Sequence, residues 1–205
     1  MSSITANVGS YGSVKGFTNG NVAEFRGLPF ASIPARFRRA ELVKSLSGEF
    51  DATKYGPYPP QVPEDKDMEP AFFGEFVKTF AAEEEGRTMS EENCLNLNIV
   101  TPRDAIGKSK LPVMVWIYGN IQEERVIVIV GGAFSIGGNS KKTYHGETFV
   151  ERSISLDEPI VYVSINYRLN FFGFLASKEL IKDNAAHGGG VGNYGIQFPI
   201  HHHLT

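Results

Sequence analysis

The sequence predicts an α/β fold, and two patterns carry that prediction. Residues 14–17 and 22–25 flank Asn19-Gly20, a dipeptide that favours the tight primed turn of a β-hairpin. Residues 113–118 and 160–165 are near-continuous apolar runs, which are typical of strands buried on both faces of a sheet. These patterns predict an antiparallel hairpin near the N-terminus and buried strands farther along the chain.

The remaining predicted elements lie between and after these strands. Residues 27–63 are rich in proline and glycine, so we expect an ordered but irregular surface segment there. Phenylalanines on one side of residues 70–84 predict a short helix, and a second helix is predicted over 173–183. Residues 95–100 alternate apolar and polar side chains, which predicts a strand. Residues 186–195 are glycine-rich and indicate a structural loop.

Composition limits the classes of function that fit this chain. Its 205 residues are 41% hydrophobic and 21% charged, which is typical of a globular domain. The net charge of −3 argues against a nucleic-acid partner. The single cysteine, Cys94, excludes an intrachain disulfide, and the N-terminus lacks the pattern of a secretory signal. No apolar run is long enough to span a bilayer, so we expect a cytoplasmic protein.

A glycine turn after one buried strand points to ester chemistry. The run 111–119 ends in Gly119, and Gly131-Gly132-Ala133-Phe134 follows a few residues later. Glycine allows close backbone approach and positive φ, so such a turn can aim N–H groups at a reacting carbonyl oxygen. A turn of this kind binds developing negative charge, but a nucleophile is needed to break a bond.

Other catalytic and binding motifs are absent from the sequence. No serine lies in Gly-x-Ser-x-Gly or Ser-x-x-Lys, and the histidines lack zinc-protease spacing. Gly107-Lys108-Ser109 does not complete a phosphate-loop motif, because Pro102 occupies the position where the motif needs its first glycine. His145 is expected to be a surface or hydrogen-bonded loop residue, and adjacent histidines 201–203 do not build a closed metal site. We therefore predict no metal and no cofactor.

Ordered motifs along most of the chain resemble the N-terminal part of type-B carboxylesterases. This α/β-hydrolase family includes cholinesterases and some lipases. The glycine turn stands where the family has its oxyanion turn. The other matching segments are Phe25-Arg26-Gly27-Leu28-Pro29-Phe30-Ala31, Arg36-Phe37-Arg38-Arg39-Ala40-Glu41, Tyr55-Gly56-Pro57 with Gln61, Glu92-Asn93-Cys94-Leu95-Asn96-Leu97-Asn98-Ile99, Asn166-Tyr167-Arg168 with Gly173-Phe174-Leu175, and Gly192-Asn193-Tyr194-Gly195-Ile196-Gln197.

The resemblance implies a fold, an activity and site residues. The fold would be a truncated N-terminal portion of an α/β-hydrolase, in which an antiparallel hairpin precedes a mixed, mostly parallel sheet, and residues 1–205 would form one incomplete domain. The family hydrolyses small carboxylic esters through an acyl-serine intermediate. The backbone N–H groups of Gly132 and Ala133 would be the oxyanion donors, and Arg36 would form a structural ion pair with Glu92.

Two departures from the family decide what the chain is expected to do. Residues 120–131 interrupt the oxyanion turn, and we interpret this insert as a retained intron or an error in gene annotation. Residues 198–205 diverge before the place of the family's serine elbow, so the serine, the acid and the histidine of the triad are missing. We therefore predict an ester-hydrolase fragment that is inactive alone. The alternatives are a non-catalytic binding module of the same fold or a truncated product without function.

Overall fold

The computed structural model describes residues 1–61, 88–107, 110–118, 134–141, 144–187 and 190–196. The helix predicted over 70–84 lies outside these residues, as do the insert 120–131 and the divergent tail 198–205. The elements and interactions reported below belong to the described residues.

Most of the described strands belong to one mixed sheet. Its strands are β1 (Ser2–Asn7), β2 (Ser13–Asn19), β3 (Val22–Pro29), β6 (Glu49–Asp51), β7 (Asn96–Pro102), β8 (Val113–Ile117) and β9 (Val161–Ile165). A small second sheet pairs β4 (Ala31–Ser32) with β5 (Glu41–Leu42). The helices are α1 (Glu147–Ser155), α2 (Asn170–Phe174) and α3 (Lys178–Ala185), with single 3-10 turns at Gly9–Tyr11 and Arg103–Ala105.

The strand order of the main sheet is β1-β2-β3-β7-β9-β8, and β6 pairs with β2. Neighbours from β1 to β9 along this order are antiparallel, whereas β8 with β9 and β6 with β2 are parallel. The predicted mixed sheet is present, but the expectation that it is mostly parallel is wrong for the described residues. Adjacent parallel strands need a long crossover, and the helical crossover described here, β8 to α1 to β9, accounts for one parallel pair.

The predicted N-terminal hairpin is confirmed as β2 and β3. Asn19 pairs with Val22, so the loop residues are Gly20 and Asn21, one position later than the sequence indicated. Gly20 has a φ of +57°. A glycine with positive φ at the first loop position matches the twist of the two strands.

Helix α1 was not predicted, and the predicted helix over 173–183 is in fact two helices. Val150 of α1 is fully buried and packs with Val22, Val100 and Tyr162 on one face of the sheet. α2 and α3 are separate because Ser177 has extended backbone angles, and its hydroxyl accepts a hydrogen bond from the N–H of Leu180. A serine in this position begins a new helix.

Strand β8 is exposed, contrary to the prediction that both of its faces are buried. Val113, Val115 and Ile117 are 59%, 53% and 54% exposed, respectively. Trp116, on the opposite face, packs with the cluster that α1 covers. β8 is the last strand of the described order, so one edge and one apolar face of the sheet are left open by the described residues.

Candidate active site

The structure describes both flanks of the predicted oxyanion turn. The predicted donors Gly132 and Ala133 lie outside the described residues, together with the insert 120–131. β8 leads to Tyr118 on one flank, and Phe134 begins the other.

Tyr118 fixes the end of the incoming strand. Its side chain is 1% exposed, and its hydroxyl donates to the backbone carbonyl of Tyr167 at 3.3 Å. The two rings stack with centroids 4.6 Å apart, and Tyr144 stacks at 6.3 Å. Burial raises the pKa of Tyr118 well above its ordinary value, so its hydroxyl remains a proton donor. The strand therefore ends against a rigid aromatic stack.

Phe134 begins the outgoing flank in a strained backbone conformation. Its φ is +60°, a region that bulky side chains rarely adopt. Its carbonyl accepts a hydrogen bond from the N–H of Asn170 at 2.6 Å, and its ring lies 5.0 Å from that of Phe174. Surrounding contacts thus hold the strained residue in place, as is common beside functional sites.

Gln61 clamps the same flank at Gly137. Its Oε1 accepts from the N–H of Gly137 at 2.7 Å, and its Nε2 donates to the carbonyl of Gly137 at 2.9 Å. Gly137 has a φ of +125°, and a Cβ there would lie 2.7 Å from the Tyr118 ring, so the position requires glycine. In the sequence, Gln61 is recognisable only as part of a family motif, and the motif does not reveal this contact.

A buried network of asparagines attaches the outgoing flank to the sheet. The Asn139 N–H donates to Asn166 Oδ1 at 2.8 Å, and the Asn139 side chain donates to the carbonyl of Asn96 at 3.0 Å. Asn98 Nδ2 donates to the carbonyl of Asn139 at 2.9 Å. Each of these side chains is at most 6% exposed. Sequence reasoning placed Asn96 and Asn98 on a strand without finding that their face is the buried one.

Arg36 does not pair with the residue that was predicted. Its Nη2 lies 2.8 Å from Glu91 Oε2, and its Nε donates to both carboxylate oxygens of Glu91. The predicted partner, Glu92, is the next residue in the same turn and is exposed. The side chain of Arg36 is 62% exposed, so this is a solvated surface pair rather than a buried structural one.

The structure brings together three side chains that could approach a metal ion, but they do not fit one. Ligand atoms of Glu24, His145 and Glu147 lie within 4.8 Å of one another. Arg26 Nη2, however, lies 2.8 Å from Glu24 Oε2 and 3.1 Å from His145 Nε2. A guanidinium already supplies the positive charge, and a cation would have to displace it. The histidines 201–203 lie outside the described residues.

Cys94 is a core residue. It is 0% exposed and packs among Ala31, Ile33, Ala40 and Leu95. Desolvation raises the pKa of its thiol to about 12. The thiolate form that would make it a nucleophile is therefore suppressed.

Comparison with known proteins identifies the family. A profile of the carboxylesterase family matches residues 3–195. The chain belongs to this family. Its sequence is 31% identical over 188 residues to Lipase 2 of Geotrichum candidum, a match covering 86% of this chain and 31% of that lipase. It is also 31% identical over 183 residues to the secreted triacylglycerol lipase LIP1 of Gibberella zeae, covering 87% and 29% of the two chains.

Solved structures of carboxylesterases have the same fold. EstA of Aspergillus niger matches with a TM-score of 0.65 and 28% identity, over 96% of this chain and 30% of EstA. The prediction of an α/β-hydrolase fold is therefore confirmed. This chain of the carboxylesterase family spans about a third of the length of the relatives that it matches.

The predicted cytoplasmic location is wrong. The relative from Gibberella zeae is named as secreted, and so are relatives from Arthroderma benhamiae and Botryotinia fuckeliana. The prediction relied on the single cysteine and on the N-terminal composition, and cysteine count alone is a weak guide to compartment. Among the described residues, no helix combines the length and the apolar character needed to cross a bilayer.

Proposed function

We propose that this carboxylesterase-family chain supplies the oxyanion-binding turn of a carboxylic-ester hydrolase and does not turn esters over when isolated. One observation carries the proposal: the chain matches the family over residues 3–195, yet its 205 residues contain no Gly-x-Ser-x-Gly elbow. The family's chemistry needs that serine to form the acyl intermediate.

The anchored flanks support the first half of the proposal. Tyr118 ends the strand in an aromatic stack, while Gln61 and Asn170 hold the backbone after the turn. A preorganised turn is what an oxyanion site requires, because its donors must be in place before charge develops. The proposed donors are the N–H groups of Gly132 and Ala133. Removing one such donor typically costs about 2.7–4 kcal/mol of transition-state stabilisation.

The insert weakens the site in this proposal. Residues 120–131 separate Gly119 from Gly132, where an uninterrupted turn would join them directly. A displacement of reacting groups by about 1 Å can reduce a rate by about a hundredfold. Deleting residues 120–131 should therefore bring the donors back to the end of β8 and strengthen the binding of a tetrahedral anion.

The relatives support a substrate class and a location. The similar proteins from Geotrichum candidum and Gibberella zeae are named as a lipase and a triacylglycerol lipase. Phe134, adjacent in sequence to the proposed donors, is 51% exposed, and such an aromatic surface suits an apolar acyl chain. We propose esters of apolar acids as the substrates and a location outside the cell. Detection of the protein in the culture medium of its source tests the location.

Turnover and anion binding test the two halves of the proposal separately. The intact chain and a variant lacking residues 120–131 are incubated with excess p-nitrophenyl butyrate. Neither is expected to give sustained release of p-nitrophenol. Sustained, phosphonate-sensitive release from either protein would contradict the absence of a nucleophile.

The second measurement is the affinity of each protein for an alkyl phosphonate anion, by titration calorimetry. The deletion variant is expected to bind more tightly than the intact chain. Introducing Ala133→Pro into the deletion variant removes one proposed donor N–H and should weaken binding again. Equal affinities in all three proteins would contradict the role of the turn.

A further inference from the structure

A second constellation of chemical groups surrounds Tyr55, away from the glycine turn. Tyr55 lies in the loop after β6, and its hydroxyl is hydrogen-bonded to Nε2 of His145, just before α1. Glu24 and Arg26 reach the same histidine from β3, and Glu147 reaches it from α1. We refer to these five residues as the Tyr55 site.

The contacts of His145 make it a proton acceptor for Tyr55. Arg26 Nη2 lies 3.1 Å from His145 Nε2. A guanidinium only donates hydrogen bonds, so in this arrangement Nε2 is the unprotonated nitrogen of a neutral imidazole, and its one lone pair is shared between Arg26 and the Tyr55 hydroxyl. The Tyr55 hydroxyl therefore donates to Nε2, which is the relation of a nucleophile to its general base.

Carboxylates on both sides of the ring stabilise the imidazolium that forms when His145 takes a proton. His145 Nδ1 lies 4.0 Å from Glu147 Oε2, and the other oxygen of Glu147 accepts a hydrogen bond from Asn19 Nδ2. Glu24 Oε2, in a side chain only 2% exposed, lies 3.7 Å from Nε2. The groups thus follow one another as hydroxyl, imidazole and carboxylate, with the Glu147 carboxylate at ion-pair distance from Nδ1 rather than hydrogen-bonded to it.

Arg26 places a positive charge against the ring of Tyr55. Its guanidinium carbon lies 4.3 Å from the centroid of the Tyr55 ring and 4.7 Å from that of Phe17. A cation held against a phenol stabilises a developing phenolate. The side chains of His145 and Glu147 are 21% and 27% exposed, and Tyr55 is half-buried, so small reagents can reach the site.

We propose that Tyr55 is a nucleophilic acceptor for acyl groups from activated aryl esters. The phenolic oxygen forms a bond to the acyl carbon, and the bond from that carbon to the aryl oxygen breaks, releasing a phenolate. The proton of Tyr55 passes to His145 Nε2 and then to solvent. One acyl group is transferred per chain. This activity is independent of the glycine turn and of the proposed hydrolase function.

Acetylation by p-nitrophenyl acetate tests the proposal. The 205-residue chain is mixed with excess reagent, p-nitrophenolate release is followed, and the acetyl group is located by peptide mass spectrometry. A single burst with acetyl on Tyr55 is expected. Tyr55→Phe, which keeps the ring beneath Arg26, should abolish the burst. His145→Gln should slow it by about a hundredfold or more, which is the usual contribution of a general base.

Tyr11→Phe is the matched control, because the Tyr11 hydroxyl donates to the backbone carbonyl of Pro29 rather than to a ring nitrogen. This variant should retain the full burst. Fluorescence of Trp116 establishes that each variant is folded before its rate is compared. An unchanged burst in Tyr55→Phe, or acetyl groups on lysines with Tyr55 unlabelled, would overturn the proposal. A His145→Gln protein that is folded and reacts at the wild-type rate would overturn it equally.

Discussion

Gln61 is the residue that connects the proline-rich segment to the backbone after the glycine turn. The amide makes two hydrogen bonds to Gly137, at 2.7 and 2.9 Å, and its Nε2 also donates to the carbonyl of Pro59 at 3.2 Å. Neither composition nor periodicity could predict this contact, since it joins residues 76 positions apart. The same limit applies to Arg36, for which the family motif suggested the right turn but the wrong glutamate.

Gln61→Leu should destabilise the fold, because the N–H and the carbonyl of Gly137 then lose their partners. We expect the free energy of unfolding to fall by about 1–3 kcal/mol, measured by urea unfolding with Trp116 fluorescence. Gln61→Glu is the matched control: it still accepts from the Gly137 N–H and should lose less. Equal stability of Gln61→Leu and the wild type would mean that the clamp contributes nothing.

The burial of Cys94 predicts a loss of stability at high pH. The folded thiol has a pKa of about 12, against an ordinary value of 9.0. Above pH 9 the unfolded chain ionises while the folded chain stays protonated, so stability falls as the pH rises from about 9 towards 12. Urea midpoints at pH 8 and pH 10 measure this fall. Cys94→Ser should show a shallower fall, and identical slopes for the two proteins would refute the assignment.

At the level of secondary-structure elements, local sequence patterns predicted where the strands lie, but they did not predict which face of each strand is buried. The alternation over residues 95–100 predicted β7, yet its asparagine face is the buried one, because Asn96 and Asn98 bond the segment after the turn. Continuous apolar runs predicted β8 and β9, but β8 is exposed because burial depends on neighbours that periodicity does not reveal. Helix α1 was missed because its burial rests on tertiary contacts of Val150 rather than on a long apolar stripe.

The boundary between α2 and α3 gives a test at this scale. Ser177→Ala removes the hydroxyl that accepts from the Leu180 N–H at 3.2 Å. We expect a loss of about 1 kcal/mol of stability, as is typical of a helix N-cap, measured by thermal unfolding. Ser155→Ala, which removes an exposed hydroxyl at the end of α1, is the matched control and should change stability less. A larger effect of Ser155→Ala would contradict the capping role.

For the whole molecule, the notable feature is a sheet with one apolar face left open by the described residues. The chain spans about a third of its relatives, and resemblance to the family identified the fold that composition alone could not. The sequence predicted the glycine turn, and the family resemblance suggested which N–H groups would be its donors. The side chains that anchor the two flanks of the turn could be identified only from the structure.

The open apolar face of β8 should bind hydrophobic dye and promote aggregation, and a charged substitution on that face should reduce both. Val115 is 53% exposed on β8, so Val115→Lys should reduce binding of the dye ANS and reduce aggregation without loss of stability. Val150 in α1 is 0% exposed, and Val150→Lys should instead unfold the protein because it buries an unpaired charge. Dye fluorescence and light scattering measure both effects. Increased aggregation of Val115→Lys would contradict an exposed β8.

We propose that this chain carries the charge-binding turn of a carboxylesterase but no reactive serine. The most direct measurement is peptide mass spectrometry of the purified 205-residue chain after incubation with an alkyl fluorophosphonate, which phosphonylates activated serines. Phosphonylation of Tyr55 would concern only the proposal that Tyr55 accepts acyl groups, and it would not affect the prediction for the serines. We predict that all fifteen serines remain unlabelled; stoichiometric phosphonylation of any one of them would contradict the claim.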